Sequence, residues 1–235
     1  MLDLSHAFLA ALRQIVTLDP QLLEIIGLSL KVTLTAVVIA TLFGFAIGGV
    51  LAVCRFPGRG AVAALLNALM GLPPVVAGLI VYLLLSNAGP LGVLQLLYTP
   101  QAMIIAQVIL VTPIIAALTR QTCEDLLEEY RDQLHSLGAS SAEVVKTLLW
   151  DGRYRLITAV LAGFGRAIAE VGAIMFVGGN IDHVTRTMTT AIVLETSKGD
   201  IALALALGMI LLAIALAVNV ALMGIRKLAT HFAYA

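Results

Sequence analysis

The sequence predicts an all-α integral membrane protein with about five transmembrane helices, and three observations carry that expectation. Of the 235 residues, 60% are hydrophobic and 12% charged, with a mean hydropathy of +1.03. A soluble domain of this size cannot hide so much apolar surface from water. The charges are also segregated: no Asp, Glu, Lys, Arg or His occurs from Gly60 to Thr119, whereas Arg120 to Arg155 is crowded with them. Finally, the apolar residues fall into runs of the length that crosses a bilayer, about 20 residues for roughly 30 Å of hydrocarbon. A formal net charge of zero argues against nucleic acid as a partner. The expected neighbour is membrane lipid.

The first element is an amphipathic helix over residues 2–17. Leu4, Phe8, Leu12 and Ile15 share one face, with Asp3, His6, Arg13 and Gln14 elsewhere, and Asp19-Pro20 ends it. Such a helix lies at the membrane surface, so residues 1–20 form an interfacial segment and residues 21–235 the transmembrane domain. It does not read as a cleavable signal peptide, because Asp3 and His6 stand where a basic region belongs. The spans follow at about 25–54, 60–86, 99–119, 156–178 and 201–225. Lys31 is close enough to the end of the first to snorkel. Asn87-Ala88-Gly89-Pro90 and Tyr98-Thr99-Pro100 punctuate the break between the second and third.

Orientation follows from the basic residues. One side holds Arg55, Arg59, Arg120, Arg131, Lys146, Arg153, Arg155, Arg226 and Lys227; the other holds Arg13, Arg186 and Lys198, with Lys31 near it. The richer side is cytoplasmic, which puts the N-terminus outside and the C-terminus inside. The cysteines Cys54 and Cys123 share no metal-ligand spacing and read as free thiols near a membrane face. The four histidines are scattered singly, so no metal site is expected from them.

The cytoplasmic loop, about 121–155, is patterned. Leu126, Leu127, Tyr130, Leu134 and Leu137 recur at helical spacing, and Gly138 then breaks the helix. Ser140-Ser141-Ala142-Glu143 fits a capping box, opening a second short helix whose apolar face is Val144, Val145, Leu148 and Leu149. Such a knob fits a groove on a cytoplasmic partner; the alternative is a helical hairpin packed on its own membrane domain.

Leu137-Gly138-Ala139-Ser140, about ten residues ahead of an aliphatic pair, resembles the EAA loop of ABC importer permeases. The family's Glu-Ala-Ala is Asp132-Gln133-Leu134 here, and its closing Leu-Pro is Trp150-Asp151. Other stretches resemble the oxyanion permeases for molybdate and tungstate. They are Leu72-Pro73-Pro74-Val75-Val76-Ala77-Gly78-Leu79, Arg166-Ala167-Ile168-Ala169-Glu170-Val171-Gly172-Ala173 and Gly178-Gly179-Asn180-Ile181. Thr187-Met188-Thr189-Thr190-Ala191-Ile192, with Leu194-Glu195-Thr196-Ser197-Lys198-Gly199 after it, looks most like the tungstate-type members. The resemblance implies an ATP-driven importer of tungstate or molybdate in the cytoplasmic membrane of a prokaryote. It further implies two separate ABC ATPase subunits docked on the loop from Leu137 to Leu148, with Ser141 and Glu143 inside it. An extracytoplasmic binding protein would deliver the anion. ATP and Mg would reside on the ATPase, with no cofactor in this chain.

Within the spans, Arg166 and Glu170 stand four residues apart. Charge inside a bilayer costs about 2.5–3.5 kcal/mol on insertion scales, so the two offset one another as a structural ion pair, or tie the fourth span to a neighbour along the transport path. A third reading makes Arg166 a direct oxyanion ligand. Pro73-Pro74 removes two backbone donors and kinks or interrupts the second span; the freed carbonyls then need partners or a wet cavity. Gly78 permits close packing. Gly178-Gly179-Asn180 reads as a helix C-terminus and as a gate at the external mouth. Pro113 reads as an ordinary kink, and Asn67, Gln107 and Asn219 as interhelical hydrogen bonds.

The chain holds no Gly-x-x-x-x-Gly-Lys-[Ser/Thr] stretch, the loop that cradles ATP phosphates, and no nucleophile–base constellation. Uphill transport must therefore draw on another subunit. Five spans are few to enclose a path for a hydrated anion, which points to a homodimer about a central axis. The competing expectation is a stand-alone secondary transporter or channel for a small anion; a membrane-embedded enzyme is the more remote one.

Overall fold

The computed structural model describes residues 4–17 and 19–233. The described residues contain helices and no strand. In order they are α1 (Leu4–Val16), α2 (Pro20–Val53), α3 (Arg59–Met70), α4 (Pro74–Leu85), a 3₁₀ turn (Gly92–Leu94), α5 (Pro100–Ser136), α6 (Ser141–Asp151), α7 (Arg153–Ile168), α8 (Gly172–Gly178), α9 (Met188–Lys198) and α10 (Ile201–Ala233).

Three of these, α2, α5 and the 201–221 stretch of α10, are long and apolar enough to cross a bilayer unaided. The pairs α3–α4 and α7–α8 each pass the same test together across a short bent break, which gives up to five spans among the described residues if each bent pair is one span. The expected all-α membrane architecture stands, and this is a multi-pass membrane protein. Two expected boundaries change. The fourth span is two helices broken at residues 169–171, where the sequence reads as a single run. The third has no end at Thr119, because α5 continues unbroken through Pro113 to Ser136.

The chain divides into two compact units. The first comprises residues 1–36, 73–107 and 167–218. Its apolar core joins Leu22 and Ile25 of α2 to Met188 and Ala191 of α9 and to Ala206 and Leu207 of α10, with Ala11 of α1 packed against them. On α1, Phe8 and Leu12 remain exposed while Ala11 is fully buried. Ile15 packs beside Ala11 on the same core. Residues 2 and 3 of the expected amphipathic segment, and the side chains of Leu4, His6 and Gln14, lie outside the described residues.

The second unit comprises residues 37–72, 108–166 and 219–235. One cluster joins Leu51, Leu66 and Ala116. A second joins Ala52 of α2, Cys123 and Leu126 of α5 and Val144 and Leu148 of α6. Arg59 and Glu124 pair at 2.6 Å, and Arg120 pairs with the same carboxylate at 3.1 Å. The side chains of Arg226 and Lys227, counted in the orientation argument, lie outside the described residues.

Candidate functional site

In the first unit the site is built on two helix starts. Pro73 is extended, at φ −61° and ψ 125°, and Pro74 is the first residue of α4. Proline belongs there: its φ suits the helix, and an N–H at that position has no intrahelical acceptor. As N-cap, Pro73 offers its carbonyl to the first amides of the helix, those of Val76 and Ala77, at 3.0 and 3.1 Å. One turn on, Gly78 meets α8. A Cβ built on it would lie 2.6 Å from the Cα of Ala173, so only glycine permits this approach.

α8 follows the break in the fourth span. Glu170, 3% exposed, accepts the Ala173 amide on Oε1 at 3.0 Å, placing a carboxylate at the helix start, where it is favoured. Backbone that leaves a helix inside lipid needs other partners for its polar groups. Here Gln107 donates from Nε2 to the Ala167 carbonyl at 3.0 Å, and Thr189 donates to the Glu170 carbonyl at 2.8 Å. The Met188 amide at the start of α9 donates to Ser29 Oγ at 2.7 Å. α8 ends at Gly179 in the left-handed conformation, followed by Asn180 in the same region at φ 51°. The Thr185 hydroxyl holds the Gly178 carbonyl.

Of the residues expected on the pathway, Pro73, Pro74 and Gly78 thus lie at the start of α4, and Gly178, Gly179 and Asn180 close the helix that Gly78 packs against. Arg166 and Glu170 do not share a helix: Arg166 is in the last turn of α7, which ends at Ile168, and Glu170 lies beyond it. Their spacing of four is therefore not a helical i,i+4 register. Gln107 makes the interhelical bond expected of it, whereas Asn67 is exposed. Sequence reasoning gave no role to Ser29, and it singled out Thr187 to Thr190 only as a quoted stretch. Nothing in a lone serine or threonine separates a clamp from an ordinary helix residue.

The loop lies in the second unit. After α5, Gly138 adopts φ +66°, the left-handed turn that lets the Ala139 amide reach back to the Leu134 carbonyl at 3.2 Å. Ser140 caps α6. Its amide donates to Glu143 Oε2 at 2.8 Å, and its Oγ accepts the Glu143 amide at 3.4 Å. Hydrogen bonds from the Ser140 hydroxyl and then from its amide hold the Glu143 carboxyl below the ordinary glutamate value. Val144 and Leu148 face inward, 7% and 0% exposed, and Val145 and Leu149 are half-buried. The aliphatic face of α6 thus anchors the loop to its own helices. Its exposed positions include Leu137, Ser140, Ser141 and Trp150, with Leu137 81% and Trp150 68% exposed. Arg153 stacks 4.7 Å from the Trp150 ring and 4.5 Å from that of Tyr154. Trp150 had been noted only where it replaces a family residue.

Interrupted spans, small-residue helix contacts and a long helical loop define an all-α multi-pass membrane protein. No family model matches the chain. The probable anion ABC transporter permease protein of Haloferax volcanii is 40% identical over 203 residues, 84% of this chain and 88% of that one. The tungstate uptake system permease protein TupB of Peptoclostridium acidaminophilum is 39% identical over 224 residues, 95% of this chain and 98% of that one. The sulfate transport system permease protein CysT of Salmonella typhimurium is more distant, 29% identical over 192 residues. The chain belongs to the ABC transporter permease family, among its anion permeases.

Proposed function

We propose that this chain is the transmembrane subunit of an importer that carries tungstate, and by the same tetrahedral dianion chemistry molybdate, across the cytoplasmic membrane of a prokaryote. The observation that carries the reading is the 39% identity to a tungstate uptake permease over 98% of that protein's length. Two copies of the chain enclose the path. Two separate ABC ATPase subunits, which hold ATP and Mg, dock on the loop around Gly138 to Leu149, and an extracytoplasmic binding protein delivers the anion. The N-terminus is outside, the C-terminus inside, and the first 20 residues lie at the interface.

Two features support the docking assignment. The loop is rigidly tied to its own unit by Val144 and Leu148, so a push on its exposed face is transmitted to α2 and α5. It also presents a large apolar side chain, Leu137, at 81% exposure beside the glycine turn. The path assignment rests on α4 and α8, whose starts are the two breaks in otherwise apolar spans. This chain supplies shape and packing, and the energy comes from the partner.

The test is ATP hydrolysis by liposomes holding this protein with the ATPase encoded beside it, with and without the neighbouring binding protein loaded with tungstate. Stimulation by the loaded protein is expected, and repeats with molybdate and sulfate assign the anion. Absence of both association and stimulation would overturn the reading in favour of a stand-alone transporter.

A further inference from the structure

In the first unit, one small internal cavity is walled by polar side chains from four places in the chain. Ser29 and Thr33 come from α2, Gln107 from α5, Glu170 from the break before α8, and Thr187 and Thr189 from the start of α9. Their exposures are 6, 4, 1, 3, 3 and 7%. The cavity measures about 10 Å³, the size at which a space first admits one water, and it is too small for an oxyanion.

The wall does not satisfy itself. Gln107 Nε2 donates to the Ala167 carbonyl. That partner fixes the orientation of the amide, because a backbone carbonyl only accepts and would repel the carboxamide oxygen. Oε1 is then left without a hydrogen-bond partner in a side chain that is 1% exposed. Neighbouring hydroxyls are committed elsewhere. Ser29 donates to the Ile25 carbonyl at 2.7 Å and accepts the Met188 amide. Thr189 donates to the Glu170 carbonyl. An acceptor stranded in this way is destabilising, the more so within a bilayer.

We propose that this cavity is a binding site for a single water molecule, which donates to Gln107 Oε1 and bridges it to the hydroxyl of Thr33, the Thr187 hydroxyl being engaged with Thr190 at 3.1 Å. Buried waters take two to four such partners, and the lining supplies them. The water completes the polar clamp on the break at residues 169–171, where Gln107 and Thr189 already hold the carbonyls on either side. A water re-aims its bonds when helices shift, so the break can change its angle without stranding the Gln107 oxygen.

X-ray hydroxyl-radical footprinting of the full transporter in nanodiscs, read residue by residue by mass spectrometry, tests this. A pulse that splits the bound water releases a radical beside its nearest reactive side chain, and Met188, 1% exposed, lines the cavity. Met103, fully buried and packed against Gly178 away from the cavity, is the internal control. Met188 should oxidise roughly tenfold faster than Met103, as a held reactant outpaces one that must diffuse in. Gln107→Leu should bring its rate down to that of Met103. Thr33→Val, which keeps the side-chain shape, should slow it too and covers the case in which the first variant misfolds. Equal rates for Met188 and Met103 in the native protein would overturn the site. So would a fast Met188 rate that neither variant slows, since water would then reach it by another route.

Discussion

Adding one methyl group at Gly78 probes the contact on which the two helix starts depend. The built Cβ lies 2.6 Å from the Ala173 Cα and 3.1 Å from its carbonyl oxygen, where ordinary contact begins at 3.4 Å. Backbone must therefore shift, and restoring ordinary contact between α4 and α8 takes 3.4 − 2.6 = 0.8 Å. No rotamer change relieves the clash, because the obstacle is backbone. Overpacking of this kind costs about 1–3 kcal/mol, which at about 2–4 °C per kcal/mol for a chain of this length is a fall of roughly 2–12 °C in Tm. Gly27→Ala is the matched control. Nothing lies within 4 Å of its added Cβ, and alanine is the better helix former by about 1 kcal/mol, so its Tm should hold or rise. Both variants would be melted in detergent and reconstituted with the ATPase for tungstate uptake. Gly78→Ala should melt lower and transport more slowly. A variant that melts with the wild type and transports at its rate would refute the claim that this approach is obligatory.

Ser29→Ala strands the buried Met188 amide, which now donates to Ser29 Oγ at 2.7 Å; the expected cost is about 1–3 kcal/mol, read as a lower Tm. At Gly138 the left-handed turn with open space around it tolerates both Asn and Asp, but only Asp adds charge to the loop's exposed face. Gly138→Asp should stay in the membrane and lose ATP-driven uptake while Gly138→Asn keeps it; normal uptake by both would remove the loop as docking element. His183 donates from Nδ1 to Glu24 Oε2 at 2.7 Å, and that bond, with the charges of Glu24 and Asp182, raises its pKa above the ordinary 6.5. Because the folded value is the higher one, the contact contributes fully below the ordinary histidine value and is lost as pH rises through the raised one. Melting followed against pH should show that loss, and Glu24→Gln should flatten it.

How much of this was legible in the sequence differs between the two broken spans. Pro73-Pro74 announces its own break, since two successive rings remove two helix donors, whereas the lone Pro113 is carried inside α5. The capping box at Ser140 and Glu143 and the turn at Gly138 are equally local, and they occur where their spacing puts them. The break at residues 169–171 has no such mark. Its residues read as continuous helix, and what opens it is tertiary: Gln107, 60 residues away, takes the Ala167 carbonyl, and Thr189, 19 residues away, takes that of Glu170. The inward turn of Val144 and Leu148 was hidden for a similar reason. An apolar stripe records that a face is buried, without recording against what.

The same distinction separates the breaks physically. The one at Pro73-Pro74 lacks two adjacent donors whatever the neighbouring helices do, because the missing N–H groups travel with the residues. One held by side-chain donors lasts only while those donors stay in register, and Gln107 and Thr189 sit on different helices from the carbonyls they hold. Moving α9 relative to residues 167–170 would release the Glu170 carbonyl, and moving α5 would leave that of Ala167 to the Glu170 amide alone, at 3.2 Å. Of the two interruptions, the α7–α8 break is thus the one whose geometry the rest of the first unit can reset. In a transport subunit that must expose its path to each side in turn, a change of shape requires the least energy where the bonds to be exchanged are few, polar and adjacent to a site that can hold water.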